Sequence, residues 1–199
     1  MNITMVLEHL YIVLLAVVFT IAVGLPLGVL AYYFKKVRQV ILWMVDILQT
    51  VPALALLGII MVFLGAGKLT VIIGLVLYSL LPVVHNTYLG LSGVEPAIKE
   101  AARGMGMTKM YRLIHVELPI AFPMVFTGIR IATVTAVGVA VFATFVGGGG
   151  LGSVIYNGIR IQNTMQILTG TLTLVVMAVA IDFVMAYIEK RLYRRSSTK

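Results

Sequence analysis

Three glycines, Gly147, Gly149 and Gly152, follow the spacing G-x-G-x-x-G that cradles a pyrophosphate in dinucleotide-binding proteins. That spacing indicates a nucleotide site only where a short strand precedes it, a helix follows it and an acidic ribose ligand comes about 20 residues later. Here the preceding apolar run begins at Ile120, too early for a strand, and the next acidic residue is Asp182. We therefore interpret these glycines as a bend in the chain.

The other patterns that could do chemistry also fail on their spacing. The segment "GAGK" at 65–68 would need glycine at Val62 and a hydroxyl at Leu69 to form a phosphate loop. The chain has no cysteine, and its histidines lack a metal-ligand spacing: His9, His85 and His115. We therefore expect no catalytic residues, no metal and no cofactor bound by this chain, and hence a protein that is not an enzyme.

Composition indicates the medium in which the chain folds. Hydrophobic residues make up 61% of the 199 and charged residues only 11%, with a mean hydropathy of +1.08, whereas soluble domains carry about 25% charged residues. We therefore predict an all-α membrane protein, a single transmembrane domain over 1–199. Five apolar segments are long enough to cross a bilayer: 10–34, 41–64, 69–91, 120–146 and 167–188.

The positive charges predict an orientation. Twelve of the 15 basic residues lie after the first, third and fifth segments: Lys35, Lys36, Arg38; Lys99, Arg103, Lys109, Arg112; Lys190, Arg191, Arg194, Arg195 and Lys199. Because cytoplasmic connections collect Lys and Arg, this predicts an external N-terminus and a cytoplasmic C-terminus. The net charge of +8 then reflects the orientation of the chain in the lipid bilayer, and we expect no nucleic acid partner.

The longest polar stretch, 92–119, is predicted to form a cytoplasmic helical hairpin between the third and fourth spans. Pro96 suits the first turn of one helix, and Gly106 lies in the break that follows it. Thr108 can cap a second short helix, which we expect Pro119 to end before the fourth span.

The first hairpin helix presents small residues between charged ones. Ala101 and Ala102 predict a low ridge that a groove on another protein can receive, flanked by Glu100 and Arg103. Such a surface favours docking over chemistry. The alternative is an ordinary amphipathic loop lying on lipid.

Arg130 falls inside the fourth apolar segment, where a charge is costly and usually faces a partner or water. One hypothesis is that it pairs with Asp46, with Asp182 or with backbone carbonyls, and so fixes how three spans pack. The alternative is that its long side chain extends to the nearer interface.

The hairpin sequence "EAARGMGMTKMYRLIHVELP" resembles the EAA motif of ABC importer permeases, with valine at 116 where isoleucine is usual. The matching residues are Glu100, Ala101, Ala102, Gly106, Leu118 and Pro119. Further segments resemble permeases of osmoprotectant importers, which carry glycine betaine, carnitine or choline: 46–58, 77–91, 128–152 and 181–192. Methionine-importer permeases share the EAA motif and a glycine-rich segment, so a methionine or similar amino-acid-like solute is the alternative.

The resemblance implies an assembly in the prokaryotic inner membrane. It implies a second permease subunit, identical or similar, two cytoplasmic ABC ATPase subunits that hold ATP and Mg, and a separate external solute-binding protein. The six matching residues would couple ATP hydrolysis to the spans. The glycine run would lie near an external gate, as a flexible element or a static turn: Gly147, Gly148, Gly149, Gly150 and Gly152. An ATP-independent secondary carrier and a scaffold subunit without a pathway remain as other classes.

Overall fold

The structure is a computed structural model that describes residues 3–196, within which every regular element is helical. The elements follow in chain order: α1 (Ile3–Tyr33), α2 (Lys35–Thr50), α3 (Ala53–Leu64), α4 (Lys68–Ser92), α5 (Pro96–Gly104), α6 (Lys109–Arg112), a π-helical turn (Leu113–Glu117), α7 (Leu118–Val139), a 3₁₀ helix (Ala140–Val146), α8 (Leu151–Arg160) and α9 (Thr164–Ser196).

Within the described range, four helices are long and apolar enough to cross a membrane, and a bent pair makes a fifth crossing if it is counted as one span. The four are Ile3–Tyr33, Lys68–Ser92, Lys109–Val146 and Thr164–Tyr193. The predicted all-helical membrane fold with about five spans is therefore confirmed. The first helix begins at Ile3 rather than near residue 10, so that Glu8 and His9 are part of it.

The segment predicted as one span over 41–64 is broken. Helices α2 and α3 meet at 101° across Val51 and Pro52. Pro52 has no N–H to continue the hydrogen-bond ladder, and its ring disfavours a helical conformation at the preceding residue. Val51 is accordingly extended, with φ −71° and ψ 127°.

Helix α4 is the centre of the bundle and packs against both α1 and α7, which also contact each other. Glycines allow these close approaches, since a Cβ at Gly28 of α1 would lie 2.5 Å from Thr87 Cβ. A Cβ at Gly128 of α7 would lie 2.4 Å from the Pro82 carbonyl oxygen of α4. The spacing G-x-x-x-G at Gly24 and Gly28 therefore sets the α1–α4 contact, as small residues do between membrane helices.

The bundle has two ends, which we name by what lies there. At the hairpin end are Tyr33 of α1, Ser92 of α4 and Leu118 of α7, next to α5 and α6. At the glycine end, the glycine run connects the 3₁₀ helix to α8, and Gly67 N–H donates to Val146 O at 2.8 Å.

The expectation that Pro119 ends the second hairpin helix is wrong. Helix α6 passes through the π-helical turn into α7, so that Lys109–Val146 is one helical length of 38 residues. Leu118 N–H donates to Leu113 O, five residues back, and this wider turn precedes the proline. Pro119 lies in the first turn of α7, where a missing N–H costs little.

Candidate functional site

The turn after α5 explains the glycine of the EAA motif. Gly106 has φ +79°, a left-handed conformation that glycine adopts without steric cost. Its N–H donates to Arg103 O at 2.9 Å, and Met107 N–H donates to Ala102 O at 3.2 Å. These two bonds form a Schellman motif, in which a left-handed residue satisfies the last carbonyls of a helix. Gly106 therefore sets the direction in which the chain leaves α5.

The surface of α5 differs in part from the predicted ridge. Glu100, Ala101 and Arg103 are exposed, as a docking surface requires. Ala102 is 1% exposed and faces the bundle, so the expectation that it lies on the ridge is wrong. The spacing of a helix explains this, because adjacent residues point about 100° apart. A small side chain at 102 lets α5 lie close to the rest of the protein.

Several contacts fasten the hairpin to the bundle. Thr108 caps α6 as predicted, accepting a hydrogen bond from Tyr111 N–H. Tyr33 of α1 donates its hydroxyl to Lys109 O at 2.9 Å. Leu118 is half-buried against the apolar cluster between α1, α4 and α7, and Pro119 is exposed. The hairpin is therefore fastened to both α1 and α7.

A second polar cluster joins α7 to α9. Arg130 lies about 18 Å along α7 from Leu118. Its Nε and Nη2 donate to the two carboxylate oxygens of Asp182 at 2.7 and 2.9 Å, and its Nη1 donates to Glu189 at 2.7 Å. Thr127 also donates to Glu189. A forked arginine–carboxylate pair is strong and directional, so it fixes how the two helices face each other.

The structure does not bring Asp46 to this cluster. The Asp46 carboxylate lies 3.1 Å from His85 Nε2, between α2 and α4. Of the pairings considered for Arg130, the one with Asp182 is present and the one with Asp46 is not. The cavity of about 250 Å³ beside the cluster is lined by Arg130, Asp182 and residues of α7.

Sequence reasoning missed Glu189 as a partner of Arg130, and it missed the buried pair of Arg112 with Glu117. Glu189 follows Asp182 by seven residues, which is about two helical turns and puts both on one face. That spacing was a usable signal. Glu117 offered no comparable one, since its role depends on the π-helical turn.

The glycine run is held by backbone conformation and by tight packing. Gly147, Gly149 and Gly150 have φ between +73° and +79°. A Cβ at Gly148 would lie 2.4 Å from Val71 Cγ2, and one at Gly152 would lie 2.0 Å from the Val141 carbonyl oxygen. The run is therefore a compact joint, followed by the short helix α8; its role as a gate stays a prediction.

Two residues near the start of α1 hold this joint. Glu8 pairs with Lys68 at 2.7 Å and accepts from Gly150 N–H at 3.1 Å. His9, 1% exposed, accepts from Leu151 N–H at 3.3 Å through Nδ1, while its Nε2 lies 3.1 Å from Val137 O. This pattern requires the neutral ring with its proton on Nε2. The glycine end thus ties α1, α4, α7 and α8 together.

The cluster around Arg130 gives a testable prediction. Replacing Arg130 by alanine leaves Asp182 and Glu189 side by side without a cation, so we expect the thermal unfolding midpoint in detergent to fall by several degrees. Combining Arg130→Asp with Asp182→Arg should recover part of the loss, because an arginine on α9 still has Glu189 close to it.

The matched control is Arg160→Ala, which removes an exposed arginine at the end of α8 and should leave the midpoint unchanged. A midpoint for Arg130→Ala equal to that of the control would show that the ion pairs do not stabilise the fold.

Taken with the fold, these features define a class: a helical multi-pass membrane protein with a helical hairpin at one end and no cluster of metal-ligating side chains in the described range. The chain belongs to the family of binding-protein-dependent transport system inner membrane components, whose model matches residues 20–196. The family consists of ABC importer permeases that work with a binding protein and an ATPase, and it places the chain in the inner membrane. The resemblance found in the sequence is therefore confirmed.

Curated relatives are permeases for compatible solutes. The glycine betaine/carnitine/choline transport system permease protein OpuCB of Bacillus subtilis is 41% identical over 92% of this chain and 85% of its own length. The carnitine transport permease protein OpuCB of Listeria monocytogenes is 40% identical over 93% of this chain and 85% of its own. The osmoprotectant import permease protein OsmW of Salmonella typhimurium is 38% identical over 89% and 85%.

The fold also matches a solved transporter. A chain of the MetNI methionine ABC transporter, in an inward-facing conformation, superposes with a TM-score of 0.87 at 26% identity, covering 96% of this chain and 95% of that one. A second crystal form gives a TM-score of 0.84 at the same identity. The fold of this chain is thus that of a type I ABC permease.

Proposed function

We propose that this chain is the membrane-spanning subunit of an ATP-driven importer for a quaternary ammonium osmoprotectant such as glycine betaine, carnitine or choline. The observation that supports this substrate class is that the chain shares more sequence identity with osmoprotectant permeases than with the methionine transporter chain. The osmoprotectant permeases are 38–42% identical to this chain, whereas the methionine transporter chain is 26% identical. The shared fold supports a permease, and the higher identity supports the osmoprotectant subclass.

In this proposal, the hairpin receives the ATPase. Helix α5 exposes Glu100, Ala101 and Arg103 at one end of the bundle, and Gly106 sets the direction of the following chain. Two ATPase subunits carrying ATP and Mg would dock there on the cytoplasmic side, the side that the basic residues predict. A second permease subunit would complete the pathway.

The contacts of the hairpin suggest how docking moves the spans. Tyr33 connects α6 to α1, and the π-helical turn makes α6 continuous with α7. A displacement of α5 and α6 therefore moves α1 and α7 as rigid bodies, which is how packed helices switch between discrete states. An external binding protein would deliver solute at the glycine end.

The substrate class itself would be selected mainly outside this chain. A quaternary ammonium is recognised by aromatic faces around the cation. We assign that cage to the separate binding protein, and we assign to this subunit the passage and its coupling to ATP.

The test is uptake into proteoliposomes that contain this chain with its ATPase and its binding protein. We expect labelled glycine betaine, carnitine or choline to accumulate only when ATP is present on the side of the membrane where the ATPase is bound. Labelled methionine serves as the matched alternative solute. Uptake of methionine alone would move the chain to the amino-acid subclass, and uptake without ATP would contradict an ATP-driven importer.

A further inference from the structure

Glu117 is a charged side chain with no exposed surface, in the π-helical turn between α6 and α7. Its Oε1 accepts a hydrogen bond of 2.5 Å from Arg112 Nε. Its Oε2 is buried and has no hydrogen-bond partner among the residues that the structure describes. A buried carboxylate oxygen without a donor is costly, and π-helical turns are frequent at functional sites. Such an oxygen is stabilised when a donor reaches it.

Side chains from other elements surround this carboxylate. Arg112 comes from α6 and is 9% exposed. Tyr32 of α1 lies close enough to interact with the Glu117 carboxylate both through its hydroxyl and through charge, while Oε2 itself meets no donor with hydrogen-bond geometry. Lys99 comes from α5, one residue before Glu100 of the docking surface. The group thus joins both helices of the hairpin to the end of α1.

Lys99 has a different partner in this conformation. Its Nζ donates to the Leu91 carbonyl oxygen near the end of α4, at 2.9 Å, and lies 5.0 Å from the centre of the Tyr32 ring. Burial lowers the pKa of Lys99, while the nearby Glu117 carboxylate raises that pKa. In this conformation the ammonium is bonded to a carbonyl of α4 and lies over the Tyr32 ring, and α5 packs against the π-helical turn that holds Glu117.

We propose that Lys99 is a positioning residue that exchanges partners during transport, leaving the Leu91 carbonyl and donating to Oε2 of Glu117 when α5 is displaced. The exchange rests on the proposed function, because it needs an ATPase that moves α5. Each of the two states then has one hydrogen bond from Lys99. In the first state this bond fastens α5 to α4, and in the second it fastens α5 to the turn before α7. In both, the single carboxylate keeps Arg112 as its first partner.

The experiment compares variants in the full complex of permease, ATPase and binding protein in proteoliposomes. Lys99→Met keeps the length of the side chain and removes its charge. We expect it to bind the ATPase and to hydrolyse ATP as wild type does, while the solute imported per ATP hydrolysed falls by about tenfold, within the range of conformational coupling between sites. Lys99→Arg should restore part of the ratio, because arginine retains a charged donor.

A double-variant cycle tests whether Glu117 is the second partner. Glu117→Gln combined with Lys99→Met should lower the ratio no further than the more affected single variant, since residues that act as one unit are not additive. The matched control, Lys36→Met, removes an exposed lysine from α2 and should leave the ratio unchanged.

Three results would overturn the inference. A Lys99→Met complex with the wild-type ratio would show that Lys99 does not couple, and one that no longer binds the ATPase would make Lys99 a docking group. Effects of the two variants that add fully would separate Lys99 from Glu117. Wild-type complex that imports none of the solutes tested would instead contradict the proposed function, a failure visible before any variant is measured.

Discussion

Gly106→Val should abolish most solute uptake in the reconstituted complex while leaving the chain inserted and folded. The reason is backbone conformation rather than space, because a Cβ at this position meets no atom within 4 Å. A side chain at φ +79° costs about 1–2 kcal/mol, and a β-branched one costs more. Since 1.4 kcal/mol corresponds to about a tenfold change in an equilibrium constant, the ratio of hairpins with the docking geometry to hairpins without it falls by about that factor.

The matched series separates conformation from contact with a partner. Asparagine tolerates the left-handed region, so Gly106→Asn should retain more ATP-dependent uptake than Gly106→Ala, and Gly106→Val should retain least. Gly104→Ala is the control, because Gly104 is helical and a Cβ there also meets open space. If asparagine proves as damaging as valine, the groove of the docked ATPase, and not the turn, excludes a side chain.

Gly152→Ala is expected to have the largest effect on stability. Its added methyl group would lie 2.0 Å from the Val141 carbonyl oxygen, a backbone atom that cannot move without disturbing the 3₁₀ helix. Overpacking of this kind costs about 1–3 kcal/mol. For a chain of this length each kcal/mol lowers the unfolding midpoint by roughly 2–4 °C, which thermal unfolding in detergent can measure.

Gly138→Ala is the matched control for this prediction. Gly138 lies in α7 just before the same 3₁₀ helix, and a Cβ there meets nothing within 4 Å. Its midpoint should equal the wild-type value or exceed it, since alanine favours a helix over glycine. Equal midpoints for the two variants would mean that the joint gives way easily, which would favour a flexible gate over a static turn.

The spans and the hairpin could be predicted because they depend on local signals. Long apolar runs locate the membrane helices, and Thr108 and Pro96 are residues that begin helices in most contexts. Gly106 was identified through the motif, and its left-handed conformation gives the glycine of that motif a physical reason; its role in coupling stays a prediction.

The features that could not be predicted depend on helix irregularities and on packing that residue type alone does not indicate. Pro119 ends a helix by local rules, but the π-helical turn before it lets the helix continue. Ala102 has the same residue type as Ala101, and only the packing of α5 decides which of the two is buried. Asp46 of α2 lies next to His85 of α4, and no spacing along the chain indicates this contact. The 101° bend between α2 and α3 was likewise not predicted.

The continuity of α6 with α7 has a mechanical consequence. A helix of 38 residues is about 57 Å long, so Lys109–Val146 extends from the hairpin to the glycine joint as one rod. A push at one end would reach the other as a tilt or rotation, with the π-helical turn and the 3₁₀ helix as the two places within this length that could bend. The Arg130 cluster lies part-way along this rod and attaches α9 to it. In the proposed function the hairpin receives the ATP-driven work, and this one helical length would carry it toward the opposite side of the membrane.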